Sequence, residues 1–278
     1  MGGTFVVTGA NTGIGRATVE ALAAGGAARI VIASRSRERT QPVLDALAAS
    51  NPATQVHFVA LEMTDLAAVR RAADEVRALD VPIDALVNNA GVGGVRGMTK
   101  DGFELTFGTN HLAHFLWTER LLPLVVRARG RIVNVSSRGH YRAWWGVQLD
   151  QVRTPTSLTG LPEYTRSKLA NVLHANELAR RLAGDGVTTY SLHPGGVASD
   201  IWKRRLGRFA GLIRPWLVTN AQGARTQVRC ATDPALASET GRFYWDEKQR
   251  EPSKFALDVA LQDELARRSR EWVAPFLD

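Results

Sequence analysis

The sequence predicts an α/β fold in which one doubly wound, parallel sheet of seven strands carries helices on both faces. Two observations predict it. Short β-branched runs alternate with longer stretches of helical period, the rhythm of repeated βαβ units. The first strand also runs straight into a glycine-rich turn that opens a helix. In chain order the strands are expected at 4–8, 29–34, 55–61, 83–88, 130–136, 187–193 and 241–245. Helices are expected at about 13–25, 37–49, 65–79, 101–128, 164–183, 219–232 and 256–270. The helix from 164 has a core face of Leu169, Val172, Leu173, Leu178 and Leu182. No repeat, low-complexity tract or Pro/Gly/Ser linker divides residues 1–278, so one domain is expected. Segments 138–163 and 196–218 are irregular and long enough to suggest functional loops.

Composition narrows the classes. The chain has 278 residues, 45% hydrophobic and 22% charged, which is ordinary for a globular protein. A single cysteine, Cys230, excludes an intrachain disulfide and a Cys-based zinc site and fits a reducing, cytoplasmic setting. The net charge of +8 comes from 35 basic and 27 acidic residues. Thirty of the basic residues are Arg, and no nucleic-acid motif accompanies them, so nucleic-acid binding is not expected. Most of the excess sits between 200 and 229, where Lys203, Arg204, Arg205, Arg208, Arg214, Arg225 and Arg229 face Asp200 alone. No targeting segment is read at the start, and no run of 18 apolar residues occurs. The six histidines show no H-E-x-x-H spacing, and no G-x-S-x-G elbow exists, which argues against metal and serine hydrolysis.

The turn Thr8-Gly9-Ala10-Asn11-Thr12-Gly13-Ile14-Gly15 lies between strand and helix, where a dinucleotide's phosphates belong. Glycine lets the backbone approach a pyrophosphate, and the helix N-terminus offers free N–H groups. The second strand ends Ala33-Ser34-Arg35-Ser36-Arg37, with no carboxylate to take a ribose 2′-hydroxyl. Arg35 can fork onto a 2′-phosphate and Ser34 can add a hydroxyl, so NADP(H) is the expected cofactor.

Tyr164 and Lys168 stand i,i+4 on a helix, which puts phenol and ammonium on one side. Tyr244 and Lys248 have the same spacing, but they adjoin a strand-like run and an Asp246-Glu247 turn and read as structural. With the other motifs, the sequence resembles the short-chain dehydrogenase/reductase family from Thr4 to about residue 245. Thr8–Gly15 is similar to its TGxxxGxG turn and Asn88-Asn89-Ala90-Gly91 to its NNAG segment. Asn110 matches its helix asparagine, Ser137 its serine, and Tyr164 with Lys168 its YxxxK pair. The phrases Asn134-Val-Ser-Ser137, Ser167-Lys-Leu-Ala-Asn-Val-Leu173 and Leu192-His-Pro-Gly195 resemble the retinol dehydrogenase-like branch.

That resemblance implies an NADP(H)-dependent enzyme interconverting an alcohol and a carbonyl. Tyr164 would pass the proton, Lys168 would favour its phenolate, and Ser137 would hold the carbonyl oxygen. Asn110 would hold a water that relays protons to Lys168. Cofactor contacts carry over to Gly9, Gly13, Ile14, Arg35, Asn88, Ala90, Gly91, Pro194, Gly195 and Val197, with Asn11 and Thr12 in the turn. Glu62, beside Met63, replaces the family's usual Asp beneath the adenine. Strand alternation allows only one of Ser136 and Ser137 to face the substrate, and Ser137 is the choice.

Ser137 and Tyr164 are separated by 164 − 137 = 27 positions, longer than the common family spacing, and the insertion brings Tyr141, Trp144 and Trp145 beside the pocket. These aromatics either wall a hydrophobic small-molecule substrate or anchor the loop. The basic stretch 196–218 falls where the family carries its substrate lid. It reads as a moving cover, with weak membrane-surface contact and admission of acidic substrates as the competing readings. The resemblance is also compatible with a homo-oligomer formed through the helices of Asn110 and Tyr164. A non-catalytic NADP(H) sensor on the same fold is disfavoured by the intact Asn110, Ser137, Tyr164 and Lys168 set.

Overall fold

The computed structural model describes residues 2–196 and 218–278. Residues 197–217, which include Val197 and nearly all of the expected lid, lie outside the described residues. One mixed sheet runs through the molecule in the order β3-β2-β1-β4-β5-β6-β7-β8. Its strands are β1 (Thr4–Thr8), β2 (Arg29–Ser34), β3 (Gln55–Ala60), β4 (Ala85–Asn88), β5 (Arg131–Val135), β6 (Thr188–His193), β7 (Arg242–Trp245) and β8 (Lys248–Arg250). The first seven are parallel, and β8 pairs antiparallel to β7.

The eighth strand corrects the expected count of seven. Asp246 and Glu247, both at positive φ (53° and 59°), make the two-residue turn between β7 and β8. Tyr244 and Lys248 therefore lie on two strands of a hairpin rather than on one helix face, and the Tyr244 hydroxyl bonds Glu239. The i,i+4 spacing there carries no helical meaning.

The helices are α1 (Gly13–Ala24), α2 (Arg37–Ser50), α3 (Leu66–Arg77), α4 (Leu105–Phe107), α5 (Ala113–Ala128), α6 (Leu161–Arg181), α7 (Asn220–Thr232) and α8 (Val259–Val273). The expected helix at 101–128 is thus divided: a π-helical turn, Gly108–Leu112, joins α4 to α5. Local capping fixes several boundaries. Ser36, Asp65 and Asp258 accept backbone N–H groups at the starts of α2, α3 and α8, and Thr219 with Gln222 forms a reciprocal capping box on α7.

Alternation along the strands divides the core between the two faces of the sheet. Val6 and Val31 face α3, α5, α6 and α8, whereas Phe5, Val7, Ile30 and Ile32 face α1, α2 and α7. Each such fully buried aliphatic side chain contributes about 1.5–3 kcal/mol. Cys230 lies in the second of these cores, where burial raises its thiol pKa and keeps it protonated. Among the described residues, no helix is long and apolar enough to cross a membrane.

Strand order reverses between β1 and β4, so the loops after β1, β4, β5 and β6 open onto one crevice at the C-terminal ends of the strands. That crevice holds the candidate site.

Candidate active site

The end of the crevice at the turn between β1 and α1 is built by close approach. Gly9 and Gly13 adopt φ of +67° and +61°. At Gly15 a Cβ would stand 2.5 Å from both the Gly9 carbonyl oxygen and Asn89 Nδ2, so only glycine lets α1 sit this near the turn. Thr12 precedes α1 in an extended conformation, and its side chain caps no N–H, which leaves the first-turn donors free. The Thr8 hydroxyl accepts from the backbone N–H groups of Asn89 (2.9 Å) and Ala90 (3.0 Å), locking the turn after β4 to β1. Its proton goes to His114 Nε2 (2.9 Å), because His114 Nδ1 must donate to the Asn110 carbonyl (3.0 Å). A neutral imidazole fits these roles, and burial lowers the His114 pKa to about 4.

Arg35 is exposed immediately after β2. Ser34 is buried and donates to Thr40 Oγ1 (2.7 Å), since Thr40 spends its own proton on the Ser36 carbonyl (2.7 Å). Glu62 receives the backbone N–H and hydroxyl of Thr64 at 3.0 and 2.8 Å, and the Met63 side chain is core. Asn88 Nδ2 also donates internally, to Thr118 Oγ1 (2.9 Å) and Asn134 Oδ1 (2.8 Å), while its buried Oδ1 has no partner among the described residues. Its neighbour Asn89 faces the crevice and donates to the Thr8 carbonyl at 2.8 Å.

The other end is a cavity of about 510 Å³, which Ile14, Gly91, Ser137, Tyr164, Lys168 and Pro194–Gly196 line in part. Two glycines show how tightly its polar groups converge. A Cβ on Gly139 would meet Ser137 Oγ and Tyr164 Cε1 at 3.4 Å, and one on Gly91 would meet Asn110 Oδ1 at 3.2 Å and Lys168 Nζ at 3.4 Å. The Tyr164 ring packs against Gly93, where a Cβ would come within 2.6 Å of Cδ2. Ser136 turns its hydroxyl onto the Lys168 carbonyl (2.6 Å), while Ser137 caps the Gly139 N–H (3.0 Å).

Lys168 is buried, its Nζ donates to the Val135 carbonyl (3.0 Å), and it stands 5.8 Å from the Tyr164 ring centre. Burial lowers its pKa to about 8. Burial raises that of Tyr164, opposed by the hydrogen bond with Ser137. Asn110 lies in the π turn with its side chain fully engaged: Oδ1 takes the Val92 N–H (2.8 Å), and Nδ2 donates to the Val92 carbonyl (2.8 Å) and Ser167 (3.0 Å). It is a fixture of the loop beside Lys168.

Sequence reasoning did not single out Asn89, Asn171 or His140. Asn171 Nδ2 donates to the same Val135 carbonyl as Lys168, at 3.1 Å. His140 Nδ1 donates to the Ser137 carbonyl (2.7 Å), and its Nε2 accepts the Ser253 N–H (3.2 Å). The alternation of side chains at the end of β4 could have pointed to Asn89; nothing local marks His140. Of the insertion's aromatics, Tyr141 anchors the loop through the Glu251 carbonyl (2.5 Å), while Trp144 and Trp145 line the cavity.

Residues 4–149 match the short chain dehydrogenase family profile. The chain belongs to the short-chain dehydrogenase family. Within this family it is 41% identical over 253 residues to dehydrogenase/reductase SDR family member 13 of Bos taurus, covering 87% of this chain and 66% of that protein. It is 37% identical over 252 residues to retinol dehydrogenase 12 of Homo sapiens, covering 89% and 79%. These relatives support membership of the retinol dehydrogenase-like branch. The chain thus spans just under two thirds of the first of these proteins. The fold is also similar to the crystal structure of NADPH-bound carbonyl reductase from chicken fatty liver, with a TM-score of 0.69, 25% identity, and 90% and 99% of the two chains covered.

Proposed function

We propose that the protein is an NADP(H)-dependent reductase or dehydrogenase that interconverts a carbonyl and an alcohol on a largely apolar substrate. The observation that carries this reading is the convergence of Ser137, Tyr164 and Lys168 on one cavity. The residues fit a dinucleotide: an uncapped α1 N-terminus meets the glycine turn, and β2 ends in Ser34 with Arg35 directly after it and no carboxylate at that strand end. The nicotinamide, when bound, supplies or accepts the hydride.

The chain's own part is proton handling and orientation. Ser137 donates to the carbonyl oxygen and holds it against Tyr164. Tyr164, kept protonated by burial, gives its phenolic proton to the developing alkoxide; in the reverse direction it takes the alcohol's proton. Lys168 stabilises the phenolate left behind. Arg35 pairs with the 2′-phosphate, and Ser34, already committed to Thr40, adds to the shape of the turn.

Purified protein should consume NADPH with aldehydes or ketones at a higher kcat/KM than NADH. Tyr164→Phe should abolish turnover while NADPH binding, followed by fluorescence, is retained. Arg35→Glu should shift preference toward NADH. Substantial activity in the Tyr164 variant, or NADH matching NADPH in the native chain, would overturn the respective assignment.

A further inference from the structure

We propose that Arg138 and Arg142 form an anion subsite at the carbonyl end of the cavity, so that the substrate is a carbonyl compound carrying a carboxylate on an apolar body. The inference rests on the reading of Ser137, Tyr164 and Lys168 as the reacting groups.

Charge balance is the first argument. Arg138, Arg142, Arg166 and Lys168 line the cavity, and among the described residues no Asp or Glu does. Two of these cations are already occupied. Lys168 donates to the Val135 carbonyl, and Arg166 donates to Thr156 Oγ1 (3.2 Å) in the field of Glu163 and Glu104. Arg138 and Arg142 have neither a hydrogen bond nor an ion pair among the described residues, unlike Arg120, Arg181 and Arg268, which face carboxylates. The Arg138 guanidinium carbon stands 5.9 Å from the Trp245 ring centre, a cation–π contact that neutralises no charge.

Rigidity is the second. Both arginines spring from the 3-10 turn Arg138–Arg142, which directly follows Ser137. That turn is held at three points: Ser137 Oγ on Gly139, His140 between the Ser137 carbonyl and the Ser253 N–H, and Tyr141 on the Glu251 carbonyl. Two planar donors on a fixed turn suit a carboxylate, whose oxygens accept paired N–H bonds. Trp144 and Trp145, 67% and 75% exposed and packed edge to face at 6.1 Å, continue the same wall and offer an apolar surface to the rest of the molecule.

The cofactor's phosphates do not explain these arginines. The diphosphate belongs to the turn after β1 and the 2′-phosphate to Arg35 after β2, whereas Arg138 follows β5. In the order β2-β1-β4-β5 those strands lie two and three positions away, roughly 10 and 15 Å.

The test uses the full chain with NADPH and a series of straight-chain ω-oxo acids of increasing length, each measured against its own methyl ester. The best acid should exceed its ester in kcat/KM by about tenfold, mainly through KM, and added KCl should shrink the margin. Arg138→Gln with Arg142→Gln should bring the acid-to-ester ratio toward one, while the Lys pair, which keeps the charge, should preserve part of it. Acid and ester turned over equally, or a margin that survives the double Gln variant, overturns the anion subsite and leaves the carbonyl reductase reading standing. Turnover of no carbonyl compound with either cofactor overturns that reading, and the subsite with it.

Discussion

Lys168 is where burial and chemistry meet most directly. Its ammonium is enclosed, offered one backbone carbonyl, and set at a pKa of about 8, while the phenol beside it is pushed the other way. A cation with a lowered pKa is fully present well below that value and is lost above it. Carbonyl reduction should therefore show kcat/KM falling as pH rises through about 8, read from a pH–rate profile, and Lys168→Met should remove this limb and cost about a hundredfold or more in kcat. A profile flat across that region would show that the Lys168 charge is not lost there or does not limit the reaction. Ser137, Tyr164 and Lys168 were legible in the sequence because their identities and order are distinctive. Arg138 and Arg142 were not, since their value depends on a 3-10 turn that aims them at the cavity and on the lack of carboxylates around it. The choice between Asn88 and Asn89 as the crevice-facing residue also escaped the sequence reading, although the two are adjacent.

Among the elements, α1 and its turn were legible because everything that shapes them is local: glycines, a strand before and a helical period after. Gly15 makes the point testable. A methyl group there would meet a backbone carbonyl at 2.5 Å, which cannot swing aside as a flexible side chain can. Gly15→Ala should force α1 away from the turn, weakening NADPH binding by about tenfold or more and lowering stability by about 1–3 kcal/mol, as cofactor titration and thermal melting would record. Unchanged affinity would show that the phosphate site tolerates this displacement. The division of the helix at 101–128 was not read, although Gly108, Thr109, Asn110 and His111 are all weak helix formers, because the π turn that forms there depends on the surrounding contacts. Asn110 holds the 91–92 loop from inside that turn. The period of the C-terminal helix was readable, but its placement at Val259–Val273 rests on Asp258 capping Leu261, three residues beyond the expected start.

Taken as a whole, the molecule keeps most of its histidines out of water. His111, His114, His140, His174 and His193 are all buried, with pKa values lowered by that burial, to about 3 for His111 and about 4 for His114, His140 and His193. The unfolded chain binds protons near pH 6.5, where these folded groups do not, so stability is lost as pH falls below that value. Each imidazole costs up to about 1.4 kcal/mol per pH unit until its own folded pKa is reached. Melting temperatures should hold nearly level above pH 7 and drop steeply toward pH 5, as calorimetry would record; a midpoint insensitive to acid would mean that these rings find water on protonation. The interior placement of His111 and His174 against Phe115 is a property of how α6 packs on α5 and the π turn that leads into it, whereas the sequence shows only the spacing of His111 and His114.

The short hairpin that ends the sheet has a further consequence. A parallel sheet ending at β7 would present the backbone of Arg-Phe-Tyr-Trp, an aromatic edge well suited to pairing with another chain. Instead β8 occupies that edge with Lys248, Gln249 and Arg250, all exposed, antiparallel and only three residues long. A brief, positively charged border of this kind gives an approaching strand little to pair with and repels a second copy of itself. The strand that the hydrophobic pattern did not announce thus serves as a guard against edge-to-edge aggregation.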